Sequence, residues 1–292
     1  MSDWLKGIQI VIIIVRETDA IGMPPRSSSG TCLLCKAGIG RIAMPRHSLE
    51  CLKKSGWPES DAPSFVIRVE DFHSKMFWLL VLARNDATLS DLDSLLRDVW
   101  VECCGHLSAF TIYGRRFSSH SDYDGFDEDD ESGLSVPLDE VIGPDSTFTY
   151  EYDFGSTTKL RLSVVGLSPV TPKSRSLILI ARNNRLEIPC YFCKGKGEYL
   201  VTDWPDEPYQ IVVCRDCTRK NVEDLEPECM MVFPNSPRAG VCGYVEEPNT
   251  AIRWYPPGWH PGDIYPAESE EVLDEIMNND EDDAYTPIDE DT

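Results

Sequence analysis

The stretch LSDLDSLLRDVWVECCGHLSAF, Leu89–Phe110, decides the fold class of this 292-residue chain. Leu89, Leu92, Leu96, Val99 and Cys103 recur at spacings of three and four, with Leu95 and Trp100 widening the stripe and Asp91, Asp93, Arg97, Asp98 and Glu102 on the other side. That is the pattern of one long amphipathic helix with a buried face. Thr88 stands where a cap is needed, Asp91 suits the positive end of the helix dipole, and Gly105 supplies a left-handed residue past the end. The other apolar bursts are strand-length: Phe65, Ile67 and Val69, then Phe77–Leu82, Phe110 and Ile112, Phe148–Phe154, Leu160–Val165 and Leu177–Ile180. One long helix among several strands is expected to pack across the sheet that they form.

Charge is distributed unevenly. The formal net charge is −23, yet seven acids lie between Asp122 and Glu131 and twelve between Glu268 and Asp291, with no Lys or Arg in either stretch. Without those nineteen the remainder carries about −4, so the acidity belongs to a loop and a tail and the chain is not a global mimic of nucleic acid. The tail past Ser269 has few apolar residues and is expected to be disordered. No apolar run approaches the roughly 20 residues that cross a bilayer, which predicts no membrane partner. Ile8–Val15 is apolar, but Asp3 and the lack of a small-residue cleavage site before Arg16 and Glu17 argue against a secretory signal. A strand or an extension is expected there, and a reducing cytoplasm as the location.

Eleven cysteines are the strongest chemical signal. Cys32 and Cys35 form one CxxC pair, followed eleven residues later by His47 and then Cys51. A two-residue spacer lets a tight turn present two thiolates to one ion, and a helix starting near Pro45 would place His47 and Cys51, four apart, on one face. Cys190 and Cys193, then Cys214 and Cys217 after twenty residues, match the spacing of a zinc ribbon, with Tyr199–Thr202 and Gln210–Val213 as its hairpin. Disulfides are the alternative, which a reducing compartment disfavours. Two structural zinc ions are therefore expected. Loss of the first should unfold only a finger; loss of the second should destabilise the body. The Cys103-Cys104-Gly105-His106 run reads as core packing and capping at a helix end, where the dipole would raise a thiol's pKa. Cys229 and Cys242 fit no standard metal spacing.

The expected organisation is an N-terminal extension and linker over 1–29, a C2HC finger over 30–58, the α+β body over 64–188, a four-cysteine zinc ribbon with the closing segment of the body over 189–245, and an aromatic segment and acidic tail over 246–292. The Arg253–Trp259 aromatics are expected to fold back on the body.

Four segments, Leu89–Phe110, YEYDFGSTTKL at Tyr150–Leu160, Ala181-Arg182-Asn183, and NSPRAGVCGY at Asn235–Tyr244, resemble the plasmid pRiA4b ORF-3-like proteins. The likeness is nearest to a zinc-finger-bearing branch of transposon passenger proteins of TnpR type. It implies an α+β domain with a mixed sheet, an association with mobile elements and no established activity. Many of those proteins carry Asp, Trp and His after the YDFG segment, where this chain has Ser156, Thr157, Thr158 and Lys159. No recombinase constellation accompanies the TnpR label.

These readings together predict a non-catalytic, zinc-binding interaction protein. Lys36, Arg41, Arg46, Lys53 and Lys54 give the finger a positive face that would meet nucleic acid, or ordinary solvated lysines on a finger that docks protein. The rivals are an accessory protein holding a basic partner through its acidic regions, and an enzyme with a site near Cys103, His106 and Asp153.

Overall fold

The computed structural model describes residues 28–119, 133–173, 175–202, 210–220 and 229–260. Ile8–Val15, His120, the acidic loop and the acidic tail lie outside the described residues. Two compact units are present, one of residues 28–186 with 234–260 and one of residues 187–233.

The first unit is built on a nine-stranded sheet. Its strands are β1 (Ser29–Cys32), β2 (Gly38–Gly40), β3 (Glu59–Asp71), β4 (Trp78–Ala83), β5 (Ser108–Ile112), β6 (Arg115–Ser118), β7 (Thr147–Tyr152), β8 (Thr158–Val170) and β9 (Leu177–Asn183), in the order β2-β1-β9-β4-β3-β8-β7-β5-β6. Among the described residues, every strand anticipated from an apolar burst is present. The mixed sheet is not: every pairing among the described residues is antiparallel. The reason lies in the crossover. The connection carrying a helix joins β4 to β5, which run the same way but have β3, β8 and β7 between them, so no parallel neighbours arise.

The long helix is also shorter than its pattern. Helix α2 spans Leu89–Leu96 and gives way to a π turn at Arg97–Val101, beyond which Glu102 is extended. The N-terminus behaves as its residues dictate, since the Asp91 N–H donates to Thr88 Oγ1 at 3.1 Å and the Thr88 N–H to Asp91 Oδ2 at 2.9 Å, closing a reciprocal cap. The C-terminus is decided by tertiary contacts. The wider turn buries Val99, Trp100 and Val101 together, and it offers the Trp100 carbonyl to Ser236 Oγ at 2.6 Å while Trp100 Nε1 donates to the Asn235 carbonyl at 3.1 Å. Cys103 thus lies outside the helix, in the loop that leads to β5.

The segment expected as a separate finger is part of this sheet. β1 pairs with β9, and helix α1 (Met44–Lys53) covers one sheet face with Met44 and Leu52 against Val66, Trp78, Leu80, Leu82, Ile178 and Ile180. Gly30 is required on β1: a Cβ there would collide with the Arg182 carbonyl oxygen and the Trp78 ring. Ser29, read from the sequence as the end of a linker, is a strand residue.

The segment after the second unit returns to the first. The short helix α5 (Pro248–Ala251) and the turn Ile252–Trp254 bring its aromatics back, with Trp254 Nε1 donating to Asp98 Oδ2 at 2.5 Å and Trp259 Nε1 to the Leu33 carbonyl at 2.8 Å. A further short helix, α3 (Leu138–Val141), precedes β7. In the second unit β10 (Tyr199–Val201) lies between β11 (Ile211–Val213) and β12 (Met230–Val232), followed in chain order after β11 by helix α4 (Arg215–Lys220). Its small core is Tyr199, Val201, Ile211, Val213 and Met230 around Cys190 and Cys217. No helix among the described residues is long and apolar enough to cross a membrane.

Candidate metal centres

Among the described residues, three groups of four Cys/His side chains have their ligand atoms within 4.8 Å of one another. Around a tetrahedral zinc with bonds of about 2.3 Å, thiolate sulfurs lie about 3.8 Å apart, so all three are compact enough to hold an ion.

The first group is Cys32, Cys35, His47 and Cys51. Cys32 ends β1, and the chain turns back at once, with the Lys36 N–H donating to the Cys32 carbonyl at 2.8 Å and Cys32 N–H to the Ala37 carbonyl at 2.9 Å. Lys36 takes φ 64°, the left-handed step that closes this knuckle. Helix α1, with Pro45 in its first turn, presents His47 and Cys51 on one face; His47 Nε2 is 3.2 Å from Cys35 Sγ and 3.4 Å from Cys51 Sγ. The second group, Cys190, Cys193, Cys214 and Cys217, repeats the device in the other unit. Lys194 has φ 63°, its N–H donates to the Cys190 carbonyl at 3.0 Å, and Cys193 Sγ is 3.6 Å from Cys214 Sγ. The eight residues expected as ligands therefore sit as two groups of four, in the sets expected.

Burial and crowding set the acidity of these thiols. Burial and the adjoining thiols push Cys51 up to about 12, and the same causes push Cys217 up to about 12. Burial opposes ionisation of Cys190 too, but N–H groups of Cys193, Cys214 and Phe192 hold it down at about 7. A bound divalent cation supplies the positive charge that lets all four ionise.

The third group was not anticipated. Cys103, Cys104 and His106 from the loop after the π turn meet Cys242 from the returning segment. Cys104 Sγ is 3.0 Å from His106 Nε2, 3.4 Å from Cys103 Sγ and 3.4 Å from Cys242 Sγ, and His106 Nε2 is 3.4 Å from Cys242 Sγ. Core packing is the wrong reading of this run, because Cys104 and Cys242 are exposed and Cys103 is half-buried. Nor does a helix dipole govern Cys103: burial would raise its pKa, but the guanidinium of Arg238, 3.3 Å from its sulfur, prevails and lowers it. Only the CCGH run was visible locally; Cys242 lies 138 residues from Cys104, beyond any spacing rule.

Around this group the polar scaffold is dense. Arg238 is fully buried, donating to Asp153 Oδ2 at 2.8 Å and Thr158 Oγ1 at 3.0 Å. Asp153, at φ 63°, also accepts the N–H groups of Gly155 and Ser156 at 3.0 and 3.1 Å. On the loop side Arg97 donates to Asp93 Oδ2 at 2.7 Å, Glu102 Oε2 at 2.6 Å and the His106 carbonyl at 2.7 Å. Tyr152 donates to Glu102 Oε1 at 2.8 Å.

With this geometry in view, three of the four segments noted in the sequence, all but Asn235–Tyr244, fall within a family match. Residues 64–198 match the plasmid pRiA4b ORF-3-like protein family. The match covers most of the sheet and the first CxxC of the second unit, and leaves out the first metal group and Cys242. A crystal structure of a protein of unknown function, MM3350 from Methanosarcina mazei Go1, is similar at 16% identity over 46% of this chain and 75% of that one, with a TM-score of 0.37. No curated protein matches the chain.

The basic residues expected on the finger separate into two kinds. Arg46, Lys53 and Lys54 are exposed on or beside α1. Arg41 is instead half-buried in an ion pair with Glu70, and Lys36 lies over the Trp259 ring at 5.0 Å. Arg182, from the Ala181-Arg182-Asn183 segment, donates to Tyr255 Oη at 2.6 Å and to Glu246 Oε1 at 3.3 Å.

Proposed function

We propose that this chain is a non-catalytic zinc protein whose metal ions hold binding surfaces in shape. The observation that supports this reading is donor chemistry. The first group offers three thiolates and an imidazole, the second four thiolates, and either set saturates a tetrahedral zinc with no position left for water or substrate. The enzyme alternative is disfavoured by His106. In a Cys-His-Asp relay the acid must hold one ring nitrogen while the nucleophile uses the other, whereas Cys104 Sγ at 3.0 Å and Asp153 Oδ2 at 3.6 Å both face Nε2. Elemental analysis tests the reading. Protein purified under reducing conditions without chelator should carry zinc, and Cys35→Ser and Cys193→Ser should each lose one ion; metal content near zero would overturn it.

A phosphate backbone is the partner most consistent with Arg46, Lys53 and Lys54, exposed on α1 and at its end, where the exposed Lys53–Glu50 pair at 2.8 Å would open to a phosphate. With Arg41 held by Glu70, two to three contacts remain, for which duplex DNA binding should show a log–log salt slope of about −2 to −3. Changing Lys53 and Lys54 to Glu should flatten that slope. Absence of salt-dependent binding at low ionic strength would transfer this face to a protein partner.

A further inference from the structure

We propose that Cys103, Cys104, His106 and Cys242 form a third zinc centre, a clasp that fastens the returning segment of the chain to the end of the central helix. The donor set repeats that of the first group, three thiolates and one imidazole, on wholly different elements. Two other fates of such a cluster fit the geometry less well. A disulfide requires two sulfurs about 2.05 Å apart, while Cys104 has two sulfur neighbours, both at 3.4 Å, and favours neither. Buried packing is excluded by the exposure of Cys104 and Cys242.

The loop is held ready before any ion arrives. Glu102 takes the Gly105 N–H at 2.5 Å and the Tyr152 hydroxyl at 2.8 Å, and the hydroxyl oxygen in turn accepts the N–H groups of Cys103 and His106 at 3.4 and 3.3 Å. Gly105 at φ 73° folds the loop so that the residues on either side converge. On the opposing segment Gly240, Cys242 and Gly243 take φ values of 72°, 53° and 63°, a run of left-handed steps that turns the Cys242 thiol towards the loop. Left-handed φ on a cysteine is disfavoured, and here it serves to complete the fourth corner.

A fixed donor also supports an ion at this place. The Arg238 guanidinium, its charge paired with Asp153 Oδ2 at 2.8 Å, donates to Cys103 Sγ at 3.3 Å. A hydrogen bond from a fixed cation to a ligand sulfur is the outer support that metal–thiolate sites commonly have. The same Arg238 belongs to the segment that carries Cys242, so the clasp and its support arrive together.

The test is metal stoichiometry of the full-length protein by elemental analysis. Wild type should carry three zinc ions per chain, one for each group. Cys242→Ser and His106→Ala should each carry two, and His106→Cys, which restores a ligand, three. Cys104→Ser repeats the test at an exposed position should Cys242→Ser fail to fold. Cys35→Ser and Cys193→Ser keep this proposal separate from the two-ion reading, because each removes one ion whether or not the clasp is filled. Two ions in wild type with no change in Cys104→Ser and Cys242→Ser would overturn the clasp, as would a Cys104–Cys242 disulfide found by mass spectrometry after alkylation of the reduced-purified protein.

Discussion

Cys193→Ser should unfold residues 187–233 while the nine-stranded sheet stays folded. Among the described residues the second unit has three short strands and a core that includes two of its candidate metal ligands, Cys190 and Cys217. Domains this small rarely hold without a staple. Structural zinc is worth about 10–16 kcal/mol at neutral pH, against a typical domain stability of about 5–15 kcal/mol. Removing one of four thiolates therefore leaves nothing to offset the chain entropy. Hydrogen exchange should show loss of protection throughout 187–233, with protection of β3, β4 and β9 unchanged. Retained protection in β10 and β11 would show that the unit stands without its ion.

The companion substitution reverses the expectation drawn from sequence. Cys35→Ser should propagate into the body, because β1 hydrogen-bonds to β9 and α1 buries Met44 and Leu52 on the central strands. A finger that contributes strands to the sheet cannot melt alone, whereas a ribbon with its own core can.

Arg238→Met should cost about 3–5 kcal/mol, read as a shift in the urea midpoint. The guanidinium is fully buried, and its neighbours Asp153, Thr158 and the Ser156 carbonyl lose their donor when it is removed. Asp153 is then left as a buried charge with no cation, which is the expensive outcome, since methionine fills the space but satisfies nothing. Arg238→Lys should fall between wild type and Met, keeping the charge but not the fork that reaches two partners at once. Adding Asp153→Asn to Arg238→Met should recover part of the loss, because the stranded charge disappears. A loss below about 1 kcal/mol in Arg238→Met would mean that water replaces the guanidinium.

Much of this protein was written locally. The CxxC knuckles, the four-residue step from His47 to Cys51 and the reciprocal cap of Thr88 and Asp91 depend on residues within a turn or two of one another. Their geometry follows from backbone rules that operate at any place in a fold. The strands were legible for the same reason, since period-two alternation and short apolar runs reflect the pleat itself.

What only the tertiary structure decided involves partners distant in sequence. The helix periodicity runs on to Cys103, but Ser236 and Asn235 engage Trp100 and the helix ends in a π turn. Arg41 counted as a surface charge until the sheet placed Glu70 beside it. The sheet is antiparallel because three strands separate the two that the helix connects, a fact about order that no single segment contains. Cys242 illustrates the limit most clearly. Flanked by Gly240, Val241 and Gly243, it has no local feature of a ligand beyond being a cysteine, and it becomes the fourth member of a cluster because the chain, after building a second unit, returns to the loop that holds Cys103, Cys104 and His106. Spacing reports on groups that share a turn of chain; which groups meet after a hundred residues is fixed by the packing that brings them together.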